Sequence, residues 1–185
     1  MEYNRMQQVK RRLFAMRNGV VADALRKGGS SFRLIFGLNL PQLREIAAEI
    51  GEDKELAMEL RNNTSTRESL LLSLLIWPRE ELTSEELWEM SGDIADREVA
   101  DLFCHRLLVN SEFESPMLAR LALATEPMRR YMAMRLMYRV VEHRPQEIAD
   151  FARREIARNE PLTRSLALML LDDAEFWAEE SDVDS

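Results

Sequence analysis

Helix starts recur along most of this chain about every 30 residues, and that recurrence restricts the fold more than any other feature. Pro41, Pro116, Pro127, Pro145 and Pro161 stand where a first helical turn tolerates a missing N–H. Ser65 with Glu68, and Thr83 with Glu86, have the spacing of capping boxes. Stops fall at Asn18-Gly19, Gly28-Gly29, Gly51 and Trp77-Pro78. Together these signals predict helices at roughly 4 to 17, 20 to 27, 41 to 50, 53 to 62, 66 to 77, 84 to 91, 96 to 109, 116 to 124, 127 to 143, 145 to 158 and 162 to 171. No segment alternates as a half-buried strand does. From residue 53 the helices pair, first members starting near 53, 84, 116 and 145 and second members near 66, 96, 127 and 162. One helix pair cannot bury its own apolar faces, so repeats of this length must stack. The expectation is an all-α fold, an α-solenoid of antiparallel helix pairs forming a right-handed superhelix with a concave face. Residues 1 to 52 would supply capping helices, 53 to 171 four helix pairs, and 172 to 185 an acidic tail.

The second helices also align by content. Arg67, Arg97, Arg130 and Arg164 stand near their starts, and three residues later come Leu70, Ala100, Ala133 and Ala167. On a helical wheel Arg130 falls among Ala133, Met134, Met137 and Val141, on the apolar side, whereas Arg135, Arg139 and Glu142 cluster opposite. A guanidinium there needs an acid or backbone carbonyls. The preceding second helix offers one, because Arg97, Asp101 and His105 recur every four residues and form a stripe with Cys104 and Leu108 along its edge. An Asp beside Arg and His suits a general base or the stabilisation of a cation. The same residues also suit an inter-repeat salt-bridge ladder.

Charge narrows the partners. The net charge is −8, but residues 1 to 44 hold nine basic residues against two acids, 120 to 164 ten against six, and 172 to 185 seven acids and no base. The acidic total argues against indiscriminate coating of nucleic acid, while the basic segments leave room for a local anion-binding surface. The longest apolar run, Leu70 to Trp77, is far short of the roughly 20 residues that span a membrane, so no membrane partner is expected. The N-terminus lacks the apolar region of a signal peptide, which makes a cytoplasmic location the expectation. A single cysteine, Cys104, and two histidines without ligand spacing call for neither disulfide nor metal, and no other cofactor is implied.

The arginine followed at three by a small residue resembles the second helix of HEAT (armadillo-like) repeats. More specifically, the run Gly37-Leu38-Asn39-Leu40-Pro41-Gln42-Leu43-Arg44-Glu45-Ile46-Ala47, then Glu55-Leu56-Ala57-Met58-Glu59-Leu60, the leucine-rich helix from Arg67, and Val99-Ala100-Asp101-Leu102-Phe103-Cys104 resemble the DNA alkylation repair family of HEAT-like alkylpurine DNA glycosylases. The resemblance covers roughly residues 20 to 172. It implies a concave, positively charged groove of second helices that holds duplex DNA by its backbone, and excision of cationic alkylated purines without base flipping, unlike the general pattern.

In that family a Trp-Asp-x-x-Asp pattern ends in the catalytic aspartate. Here it falls on Arg97-Glu98-Val99-Ala100-Asp101, so the resemblance implies Asp101 as a catalytic residue and replaces the tryptophan with Arg97. The family's arginine near the lesion falls on Arg130, a second cleft tryptophan on or near Leu168, and its N-terminal tyrosine has no clear counterpart around Ala24. Arg97, Arg67 and Arg164 would be the DNA-binding residues. Aromatic faces hold a cationic base by cation–π contact, so the two replacements alter how such a base would be held.

Other features have plainer readings. Met128, Met132, Met134 and Met137 suit core filling. Cys104 suits a buried small hydrophobe. The Gly28-Gly29-Ser30-Ser31-Phe32-Arg33 stretch lacks a P-loop pattern and suits a connector. The acidic tail suits a solvated end or a last amphipathic turn through Phe176 and Trp177. Two functions follow: a DNA-repair-type protein, an alkylpurine glycosylase as the resemblance implies, with Asp101 and Arg130 at its centre, or a non-catalytic HEAT scaffold for a protein partner.

Overall fold

The computed structural model describes residues 4 to 183, so Met1 to Tyr3 of the expected cap and Asp184 and Ser185 of the expected tail lie outside the described residues. The described residues are all-α, and the nearest thing to a strand is an isolated bridge between Leu34 and Thr66. The chain divides into two compact units, Met1–Leu82 and Thr83–Ser185.

The first unit contains α1 (Arg5–Ala15), α2 (Gly19–Lys27), α3 (Leu40–Ile50), α4 (Lys54–Asn62) and α5 (Arg67–Ile76). Local chemistry sets their starts: Asn4 and Asn39 form capping boxes with Gln7 and Gln42, and Asp53 accepts from the Leu56 amide. α5 is buried almost all round, so it is the axis on which α3 and α4 pack, with α1 laid against α4. The expected capping box at Ser65 does not form. Thr66 occupies the cap position without a side-chain bond, and Glu68 instead accepts from the amides of Phe36 (3.0 Å) and Gly37 (2.9 Å). A connector folded back onto α5 offers those amides a carboxylate, and interior donors are worth more to Glu68 than one exposed N–H. Gly37 makes this possible. Its φ is +83°, and a Cβ there would lie 2.1 Å from the Asn18 carbonyl oxygen.

The second unit contains α6 (Ser84–Asp93), α7 (Arg97–Phe103), α8 (Glu114–Ala122), α9 (Pro127–Met137), α10 (Pro145–Arg158) and α11 (Arg164–Val183). Here the Thr83/Glu86 capping box does form. Three of the four expected pairs, at 53/66, 116/127 and 145/162, pack as α4 on α5, α8 on α9 and α10 on α11, whereas α6 and α7 of the pair expected at 84/96 make no comparable contact; α9 also meets α7 and α11. α9 is the buried element, and Met132 and Met134 are sealed in the core as core filling requires.

Three boundaries depart from expectation. α7 passes into a π-helical turn, Cys104–Leu108, so its periodicity changes after Phe103. α9 stops at Met137 rather than near 143, because a separate 3₁₀ turn, Val141–His143, leads into Pro145 at the start of α10. α11 does not stop at 171. It runs to Val183, taking the expected acidic tail into the helix with Ala174 buried and Phe176 edge-on to Trp177.

Candidate functional site

The second unit gathers Arg97, Asp101, Tyr131 and Arg135 where α7 meets α9. Asp101 lies on the second turn of α7, and its side chain is 39% exposed. One carboxylate oxygen accepts from the Tyr131 hydroxyl at 3.0 Å and pairs with Arg135 Nε at 2.8 Å. No other hydrogen bond to this carboxylate is found among the described residues. Arg97, one turn earlier, donates to the carbonyl of Leu162 at 3.0 Å and lies 5.9 Å from the Tyr131 ring centroid. This tie fastens α7 to the turn ahead of α11, two residues before Arg164. The Arg164 guanidinium is exposed and has no side-chain partner among the described residues. The arrangement is therefore a half-open carboxylate paired with Arg135, one turn from Arg97 and bonded to one phenol.

Burial acts on the neutral groups of this cluster. The Tyr131 phenol is pushed up to about 12, first by burial and then by the charge and hydrogen bond of Asp101. Burial and the same carboxylate push the Cys104 thiol well above the ordinary range, which suits a small core residue rather than a nucleophile. His105 does not join the cluster. It lies within the π turn, is exposed, and its side chain makes no hydrogen bond among the described residues, so the stripe read at intervals of four ends at Asp101.

Arg130 and Arg67 stand elsewhere. Arg130 is buried on α9, but its acid is not Asp101: the guanidinium Nε lies 2.9 Å from Glu155 of α10, and a terminal nitrogen donates to the carbonyls of Ala124 (3.2 Å) and Thr125. Asp101 goes to Arg135 instead. Arg67 is likewise interior, donating to the Leu38 carbonyl at 2.9 Å and to Glu68 at 2.7 Å. Both guanidiniums are committed to the protein's own acceptors. Leu168, at a position where the resembled family has tryptophan, is half-exposed on α11.

Sequence reasoning missed Tyr131 and Arg135. The available signal was their i, i+4 spacing on α9, which puts them on one face. Tyr131 supplies an aromatic side chain beside Asp101 that the two family tryptophan positions lack. Chemically, the half-open carboxylate suits electrostatic stabilisation of a cation or acceptance of a proton, and the flanking arginines suit an anion. Among the described residues no three His, Cys, Asp or Glu side chains are grouped to hold a metal ion. No described helix is long and apolar enough to cross a membrane. Comparison with family models, with curated proteins and with solved structures returned no match.

Proposed function

We propose that the chain is an α-solenoid of HEAT-like helix pairs, a right-handed superhelix whose second helices form a concave working face. Within that class it is a divergent DNA alkylation repair-type protein that binds DNA around Asp101. The observation that carries this reading is the half-open Asp101 carboxylate, held on one oxygen by Tyr131 and Arg135, with Arg97 one helical turn away on α7. Arginines of this kind suit phosphate oxygens, and a fixed carboxylate suits a purine that has become cationic by alkylation. Asp101 is the catalytic residue of the reading. Arg130 is a positioning residue that acts through α9, and Arg67 supports the fold of the first unit.

The test is release of free methylated purine from alkylated duplex DNA, with Asp101→Asn in parallel. The expected result is release by the wild type, a loss of at least about a hundredfold in Asp101→Asn, and unchanged DNA binding. Equal release by both proteins refutes the assignment of Asp101.

A second reading is favoured by a separate observation. The buried pairs Arg67–Glu68 and Arg130–Glu155 tie up two of the four aligned arginines in packing, as a non-catalytic scaffold for a protein partner would. Absence of both release and DNA binding by the folded wild type supports that reading.

A further inference from the structure

The first unit has a cleft of about 570 Å³ lined by Lys10 and Phe14 of α1, Arg33 of the connector after α2, and Asn63, Ser65 and Ser69 around the start of α5. The volume lies in the range of small-ligand sites and well above that of a bare oxyanion. None of its lining residues is acidic. Two neighbouring clefts of the same unit differ in this respect, one carrying Glu49 and the other Asp53, Glu55 and Glu59.

Three groups in the cleft keep donors to offer: Lys10, Arg33 and the Ser69 hydroxyl. Several basic side chains elsewhere in the unit find carboxylates, as Arg5 does with Asp53, Arg12 with Glu49 and Arg26 with Asp23, while Lys27 and Arg44 stand exposed outside the acid-free cleft. Lys10 and Arg33 are exposed and have no side-chain partner among the described residues. Asn63 orders the hydroxyls beside them. Its amide donates to Ser69 Oγ at 3.0 Å, and its carbonyl oxygen accepts from Ser65 at 3.3 Å. Ser69 is 1% exposed, and its own proton reaches no acceptor among the described residues. A buried hydroxyl with an unused donor, beside two uncompensated cations, calls for an anionic acceptor. The wall adds a second requirement. Phe14 is 57% exposed although the Arg17 guanidinium lies 3.9 Å from its ring centroid, so one ring face remains for a planar partner.

We propose that this cleft binds a nucleoside monophosphate group, its phosphate on Lys10, Arg33 and the Ser69 hydroxyl and its base against Phe14. The group is either a free nucleotide or the phosphorylated end of a nucleic-acid strand. The inference is independent of Asp101 and does not rest on the proposed glycosylase.

Isothermal titration of the full chain with adenosine monophosphate, inorganic phosphate and a 5′-phosphorylated trinucleotide tests it. The monophosphate is expected to bind at least about tenfold more tightly than phosphate. Lys10→Gln and Arg33→Gln each weaken it by about tenfold or more, whereas Lys27→Gln, an exposed cation outside the cleft, changes it by less than about twofold. Phe14→Ser removes the preference over phosphate but leaves phosphate binding in place. Circular dichroism melting confirms that the variants keep the wild-type Tm. Trinucleotide affinity above or below that of the monophosphate supports the site either way and assigns the source as a strand end or a free nucleotide. No binding of the monophosphate, equal affinity for phosphate, or equal losses in the Lys10, Arg33 and Lys27 variants overturns the proposal.

Discussion

The guanidinium of Arg130 and the carboxylate of Glu155 meet inside the second unit, 2.9 Å apart, with side-chain exposures of 4% and 1%. The pair joins α9 to α10. Glu155 also holds Arg158 at 3.0 Å, so one buried acid serves two cations, only one of which reaches solvent. Such a pair need not exceed an apolar replacement in stability, but removing one partner strands a charge.

Arg130→Met and Glu155→Leu singly are therefore expected to lower unfolding free energy by about 3 to 5 kcal/mol each, and the double variant to recover much of that loss. Urea denaturation of the four proteins measures the coupling. Additive losses would mean that the two side chains act separately.

Gly37 and Gly51 both have positive φ, +83° and +75°, but only Gly37 faces backbone at contact distance, the Asn18 oxygen and the Ala22 nitrogen. Gly51→Ala should cost about 1 kcal/mol in conformational strain. Gly37→Ala should cost well over twice that and loosen the grip of Glu68 on the connector amides. Thermal melts of the two variants separate these values, and equal melting temperatures would contradict the close approach.

How much of this was legible in sequence depends on the range of the interaction concerned. The starts of α3, α6 and α10 could be read because Pro41, Thr83 and Pro145 act within one turn. The burial of Arg130 could be read from its wheel position. Its partner could not, since Asp101 and Glu155 are equally good acids and the choice depends on which helix lies over the guanidinium. The π turn at Cys104 was illegible for a similar reason: counting by fours through Asp101 keeps His105 on the stripe, whereas the chain gains an extra residue per turn there. The Tyr131–Asp101 contact combines both difficulties.

Alkaline titration reports on that contact. Tyr131 is held protonated in the folded state up to about 12, while an unfolded tyrosine ionises near 10. Between those values the folded chain binds more protons than the unfolded one, so stability is complete below about pH 10 and falls as pH rises toward about 12. Spectrophotometric titration should find Tyr131 ionising late in the wild type, alongside Tyr138, which burial also raises. Asp101→Asn should bring Tyr131 partway back toward 10, because burial remains. An unmoved transition would exclude Asp101 as a cause.

Cys104 provides an inexpensive check of the core. Its thiol is buried and pushed upward in pKa, so a thiol reagent should leave the native chain unmodified for hours and react fully in denaturant. Fast native labelling would mean that α7 and α9 open readily around the π turn.

The last buried position of α11 through residue 180 is Ala174. Glu175 next to it is held by Arg153 of α10 at 2.9 Å, and beyond that Glu179 and Glu180 stand near the end of a helix whose final turn carries no basic residue. Carboxylates placed there oppose the helix's own electric field and repel one another. The second half of α11 is therefore expected to be longer in acid and salt than in dilute neutral buffer, with the Arg153–Glu175 pair from α10 marking where the effect stops. What the residue count presents as one twenty-residue rod is, energetically, a short packed post carrying an ionic antenna.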